Sequence, residues 1–149
     1  MEIERKFLTD PDRLPFRPED YPCRQIEQGY LCTAPVVRIR RDNDSWFLTY
    51  KSKGLMVREE YNLPLTEEAY EHLKKKVDGR IISKKRYVIP IENGLNIELD
   101  IFEGDLAPLV LSEIEFPDEE SAVNYQAPEW LGEDVTSSSL YHNSTLSQM

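Results

Sequence analysis

Asn93-Gly94-Leu95-Asn96-Ile97-Glu98-Leu99-Asp100-Ile101-Phe102 is the stretch that decides how this chain folds. Asn-Gly is the pair that best tolerates positive φ at both central positions of a type I′ turn, so a tight hairpin is expected there. Beyond the turn, Ile97, Leu99 and Ile101 alternate with Glu98 and Asp100. Side chains two residues apart share one face of a strand, which makes one face apolar and the other purely acidic. Upstream of the turn the same spacing puts Lys84 and Arg86 on one face of the partner strand.

The pattern recurs outward in both directions. β-branched and aromatic runs between turn signals at Asp42-Asn43-Asp44, Ser52-Lys53-Gly54 and Gly104-Asp105 predict eight strands, over residues 2–8, 23–33, 36–42, 45–52, 56–64, 80–90, 95–103 and 110–117. Most connections are short enough for antiparallel hairpins. Thr66 is placed to cap a helix with Glu67 and Glu68 at its positive end, Lys74–Lys76 at its negative end, and Ala69, Leu73 and Val77 on one side. Asp118 caps a shorter helix to about Tyr125, and residues 137–146 predict a third. The four prolines between Pro11 and Pro22 predict an irregular surface connection.

Length and charge bound the function. The 149 residues suit one domain, 1–149, and 18 Lys and Arg against 28 Asp and Glu give a net charge of −10. That field repels nucleic-acid backbones and anionic membranes, so neither is expected as a partner. No apolar run is long enough to cross a bilayer, and MEIERKF places charge where a signal peptide needs apolar residues. Cys23 and Cys32 are read as thiols in a reducing compartment, the cytoplasm. With two Cys and two His in all, any metal has to be held by oxygen, which favours Mg²⁺ or Mn²⁺.

The charges inside the strands are segregated by sign. Glu2 and Glu4, Glu98 and Asp100, and Glu113 and Glu115 are acidic pairs; Arg38 and Arg40, Lys51 and Lys53, and Lys84 and Arg86 are basic ones, while Arg58 shares a face with Glu60. A solvated sheet face mixes signs, because like charges beside one another destabilise it. The expected solution is a sheet that closes on itself and turns its charged face inward around a small lumen. The inward acids are then Glu2, Glu4, Glu60, Glu98, Asp100, Glu113 and Glu115, and the inward bases Lys6, Arg38, Arg40, Lys51, Lys53, Lys84 and Arg86, a balance of zero. Paired buried charges seldom stabilise more than an apolar core would, so a ligand that uses both signs is the better explanation. Carboxylates hold a divalent cation and Arg and Lys hold phosphate oxygens.

Glu2-Ile3-Glu4-Arg5-Lys6 resembles the N-terminal Glu-x-Glu-x-Lys motif of the CYTH domain, the triphosphate tunnel metalloenzymes. The order that follows is similar too: Gln28-Gly29-Tyr30-Leu31, Arg38-Ile39-Arg40, Phe47-Leu48-Thr49-Tyr50-Lys51, Arg58-Glu59-Glu60, Lys84-Lys85-Arg86-Tyr87, Glu98-Leu99-Asp100 and Glu113-Ile114-Glu115-Phe116. Gly132–Thr136 and Tyr141-His142-Asn143 extend the likeness to the tail. The resemblance implies a mainly β fold, a closed eight-stranded antiparallel barrel with a few short helices outside, and hydrolysis of a small triphosphate with Mg²⁺ or Mn²⁺.

By the same resemblance Glu2, Glu4 and Glu115 form the metal site, with Glu113, Asp100 and Glu60 as further ligands or water-positioning groups. Lys6, Arg38, Arg40, Lys51, Lys84 and Arg86 line the triphosphate path, and Glu4, Lys6, Tyr30 and Arg40 are the catalytic candidates. The attacking water is activated by a carboxylate, or by Tyr30 if Lys6 lies beside it; packing within a strand is the plainer role for Tyr30. Ser138, Ser139 and Leu140 stand where some relatives carry basic residues, so a tail helix packed over one mouth is as good a reading as a catalytic tail. The leading function is a metal-dependent tripolyphosphatase, with a homodimer allowed. Adenylate cyclase, a thiamine or nucleoside triphosphatase, with Trp46 and Trp130 as candidate stacking surfaces, and a non-catalytic polyphosphate sensor are the alternatives.

Overall fold

In the computed structural model, which describes residues 1–149, the strands are β1 (Glu2–Leu8), β2 (Cys23–Thr33), β3 (Val36–Asp42), β4 (Ser45–Lys51), β5 (Val57–Arg58), β6 (Glu60–Leu65), β7 (Asp78–Pro90), β8 (Asn96–Phe102), β9 (Val110–Glu115) and β10 (Glu133–Asp134). The helices are α1 (Glu67–Lys74), α2 (Glu119–Asn124) and α3 (Asn143–Leu146). Asn93 and Gly94 hold φ of 61° and 72°, the positive values a type I′ turn needs, and β7 and β8 pair across it with Arg86 opposite Asp100. The Thr66 and Asp118 side chains accept from the backbone N–H of Ala69 and Ser121 and so cap α1 and α2. Tyr70, outside the predicted apolar repeat, is the residue α1 buries completely.

All strand pairings are antiparallel, in the order β10-β1-β9-β8-β7-β2-β3-β4-β6, and β5 returns to pair with β1. The single strand expected over 56–64 is therefore two pieces: β6 pairs with β4, while Arg58 and Val57 of β5 pair with Glu2 and Ile3. Glu59 is the joint between them. This break lets one stretch of chain bridge β4 and β1 and nearly close the barrel, whose nine strands β1–β9 make the eight expected staves because β5 and β6 share one. β10, absent from the expectation, adds two residues to the edge of β1.

Outward residues Ile3, Phe7, Ile97, Leu99 and Ile114 are buried under α2 and the turn over Glu129–Leu131, and the proline-rich connection contributes Phe16 and Tyr21. Phe16 packs edge-on against Trp130 with ring centroids 5.2 Å apart, so that tryptophan belongs to the outer layer. The inward face is not charged throughout. Leu111, Phe102 and Ile82 continue the inward rows of Glu113, Asp100 and Lys84, and they pack with Leu146 of α3 and Val135. That apolar cluster occupies one end of the barrel and confines the charges to the remainder.

Candidate active site

Strand alternation carries six cations and six carboxylates onto the wall of one cavity of about 190 Å³: Lys6, Arg38, Arg40, Lys51, Arg58 and Arg86, against Glu2, Glu4, Glu60, Glu98, Glu113 and Glu115. The local balance is zero, although the chain as a whole carries −10. Tyr30, Val36, Asn62, His142, Asn143 and Ser144 complete the wall. Neither Trp46 nor Trp130 reaches it.

The basic side is fixed by neutral neighbours. Arg40 Nε donates to Gln28 Oε1 at 2.7 Å, and Arg38 Nη2 donates to Thr49 Oγ1 at 3.2 Å, which in turn donates to Asn62 Oδ1 at 2.6 Å. Burial together with Arg38 and Arg86 presses the Arg40 pKa down to about 9, so its charge persists at neutral pH. Forks held at one edge keep their other N–H groups free for an anion.

Two of the expected wall residues lie behind it. Asp100 and Lys84 are fully buried, and Asp100 accepts from Arg86 Nε at 2.7 Å, Arg86 Nη2 at 2.8 Å and Lys84 Nζ at 2.7 Å. Arg86 and Lys84 outweigh burial and hold the Asp100 carboxyl below its ordinary range. Burial pushes the Lys84 ammonium down to about 7, with Asp100 opposing. From this cluster Arg86 extends to the cavity wall, on which neither Asp100 nor Lys84 lies. Lys53, expected to face inward, is exposed, because β4 ends at Lys51 and the chain turns.

The acidic side clusters along β1 and β9, where Glu4 faces Glu115 and Lys6 faces Glu113. Burial, Glu113 and Glu2 raise the Glu4 pKa well above the carboxylate range, whereas Lys6, Arg86 and Lys84 outweigh burial at Glu113 and hold it well below. Burial and the carboxylates of Glu2, Glu60 and Glu98 also raise Glu115. Glu2 is covered by Lys51 at 3.1 Å and Arg58 at 3.4 Å. As they stand, no three acidic, His or Cys side chains form a ready cation cage. The donor chemistry nonetheless fits a hard divalent ion: all-oxygen ligands, partly buried, with Glu4 and Glu115 short of positive charge.

Tyr30 lines the cavity, and its hydroxyl accepts from Gln28 Nε2 at 3.4 Å. Lys6 Nζ is engaged elsewhere, donating to the Tyr141 carbonyl at 3.1 Å and lying 3.7 Å from Glu113, so the ion that would favour a Tyr30 phenolate is not paired with it. The tail closes over this end. His142 enters the wall, where burial, Lys6, Arg58 and Lys51 lower its pKa to about 4. Sequence spacing left Arg58 out of the basic set even though it sits two residues from Glu60, the signal that would have found it. Gln28, Asn62 and His142 carry no charge pattern that could mark them.

Comparison with known proteins agrees with this geometry. The CYTH domain family model matches residues 1–149. The chain is 37% identical over 150 residues to the inorganic triphosphatase of Nitrosomonas europaea, covering 97% of this chain and 95% of that protein. It is equally 37% identical to the inorganic triphosphatase of Acetivibrio thermocellus, over 97% and 92% of the two chains. The fold is similar to the crystal structure of the inorganic triphosphatase NE1496, with a TM-score of 0.73 at 34% identity over 100% of this chain and 95% of that one. HpAC1 from Hippeastrum shares the fold at a TM-score of 0.65 and 18% identity over 83% of each chain. With a family match from end to end and full-length relatives above 30% identity, the chain belongs to the CYTH domain family.

Proposed function

We propose that this protein hydrolyses inorganic tripolyphosphate, or a triphosphate of similar size, with the help of a divalent cation, Mg²⁺ or Mn²⁺. The observation that carries the reading is the wall of the cavity, six cations and six carboxylates inside a nearly closed β-barrel. A volume of about 190 Å³ is below the roughly 300–1,000 Å³ that encloses drug-sized ligands, which suits a bare phosphate chain. Only two of the 18 lining residues, Tyr30 and Val36, are hydrophobic, so the cavity offers little surface on which adenine or thiamine could stack. The relatives named inorganic triphosphatases support the same substrate class.

In the reaction a water oxygen bonds to a terminal phosphorus, the bridging P–O bond breaks, and orthophosphate and diphosphate result. Lys6, Arg38, Arg40, Lys51 and Arg86 orient the chain and neutralise charge on the transferred group and the leaving diphosphate. Glu2, Glu4 and Glu115 would hold the divalent cation, with Glu60 and Glu113 beside them; bound there, it supplies Lewis-acid charge at the phosphate oxygens. The water's proton passes to a carboxylate of the same cluster that does not itself hold the cation. Asp100 and Lys84 act from behind by fixing Arg86. The same reading keeps the protein in the cytoplasm, where its two free cysteines stay reduced, and allows two copies to associate.

Phosphate release from tripolyphosphate, ATP and pyrophosphate, each with Mg²⁺, Mn²⁺ or chelator, tests this. Cation-dependent release from tripolyphosphate is expected to exceed that from ATP. Binding of tripolyphosphate without release would instead support a sensor.

A further inference from the structure

Arg58 lies opposite Glu2 in the β5–β1 pairing, with its side chain 10% exposed. Its Nη2 is 3.4 Å from Glu2 Oε1 and 3.8 Å from Glu4 Oε1. The loop before it packs close on its stem: Gly54 adopts φ of 143°, and a Cβ there would strike the Val57 carbonyl and crowd Arg58 Cγ at 3.3 Å. Lys51 also reaches Glu2, but it divides its charge between Glu2 at 3.1 Å and Glu60 at 3.3 Å. Arg58 is the cation whose ion-pair partners are Glu2 and Glu4 alone.

We infer that Arg58 is a resident counter-ion of the Glu2–Glu4 pair, which a divalent cation must displace and which then turns onto the phosphate chain, so that cation and polyanion bind cooperatively. The inference rests on the proposed function. Nη2 of Arg58 reaches one oxygen of each carboxylate, so a single guanidinium charge sits against both. A dication on the same oxygens repels that guanidinium across a short distance in a low-dielectric wall. Of the other acids on the wall, Glu113 is engaged by Lys6 at 3.7 Å and Arg86 at 3.9 Å, Glu60 by Lys51 and Glu98 by Arg86 and Arg24, while Glu115 is taken up by the cation in the proposed function. A phosphate oxygen is the anion left for Arg58 to meet. Cation binding alone therefore breaks two ion pairs and leaves the guanidinium unpaired, whereas binding with the polyanion re-pairs the displaced charge. By linkage each ligand then raises the affinity for the other by the same factor.

The test is calorimetric titration of Mn²⁺ into wild type, Arg58→Gln and Arg58→Lys, with and without a methylene-bridged, non-hydrolysable triphosphate. In Arg58→Gln, Mn²⁺ alone should bind more tightly than to wild type by about 5- to 150-fold, the usual range of a coupling. The analogue, titrated in saturating Mn²⁺, should bind more weakly. These opposite signs separate the inference from a merely structural role, which would weaken both ligands. Should Arg58→Gln fail to fold, Arg58→Lys decides, because the lysine nitrogen stands one bond closer to the backbone than Nη2 and holds the two carboxylates less closely, so Mn²⁺ alone must still tighten. Unchanged or weaker Mn²⁺ binding in a folded variant overturns the role of Arg58 while leaving the function standing. Wild type that binds neither Mn²⁺ nor the analogue overturns both.

Discussion

Asp100→Asn separates support of the site from contact with its ligands. The Asp100 carboxylate accepts three hydrogen bonds of 2.7–2.8 Å from Arg86 and Lys84, and both it and Lys84 are fully buried. Neutralising it leaves two cations side by side with no counter-charge between them. Removing one partner of a buried pair costs about 3–5 kcal/mol, and because the amide keeps one acceptor oxygen, about 3 kcal/mol is expected. At this chain length that lowers Tm by roughly 6–12 °C. Asp100 is held below its ordinary value of 3.8, so its stabilisation is present above that pH and is lost as pH falls through the folded value. The gap between wild type and variant should thus stay open from neutral pH down to about 4 and close only in stronger acid. Urea unfolding and calorimetric melting across that range measure it, with Mn²⁺ affinity determined alongside. An unchanged Tm combined with lost Mn²⁺ binding would refute the reasoning and make Asp100 a ligand.

Glu4→Gln should raise stability at neutral pH, since it removes a carboxyl that burial, Glu113 and Glu2 all disfavour as an anion, while weakening Mn²⁺ binding at least roughly 10- to 100-fold; a variant both less stable and normal in affinity would contradict this. Arg40→Ala should lower kcat by about 10²–10³-fold and cost roughly 1–3 kcal/mol, because the buried Gln28 oxygen loses its 2.7 Å donor; steady-state kinetics and urea unfolding check the two parts. His142, with its folded pKa lowered to about 4 from 6.5, binds fewer protons folded than unfolded between those values. Wild type should therefore lose stability relative to His142→Asn as pH falls from 6.5 to 4, read as the difference in Tm.

The strands were legible because charge and hydrocarbon alternate along them with period two, and their predicted ends differ from the observed ones by no more than two residues outside the stretch 56–64. That stretch misled because alternation continues through Glu59 while the pairing partner changes from β4 to β1, and partner exchange leaves no trace in periodicity. The inward face was legible as a charged surface, yet alternation gives direction without depth. It could not say that Asp100 and Lys84 lie behind Arg86, or that Leu111, Phe102 and Ile82 fill one end. β10 is only two residues of an edge contact, too short to carry any pattern. Gln28, Thr49 and Asn62 were invisible as site residues because neutral side chains that fix a guanidinium look the same in sequence as ordinary strand polar residues.

The most direct measurement is diffraction from crystals soaked with Mn²⁺ and the non-hydrolysable triphosphate, recorded at the manganese edge. The account predicts an anomalous peak inside the barrel among Glu2, Glu4 and Glu115, with phosphates running along Arg38, Arg40, Lys51 and Arg86. Manganese and phosphate on the outer surface, with the cavity side chains still paired to one another, would contradict it.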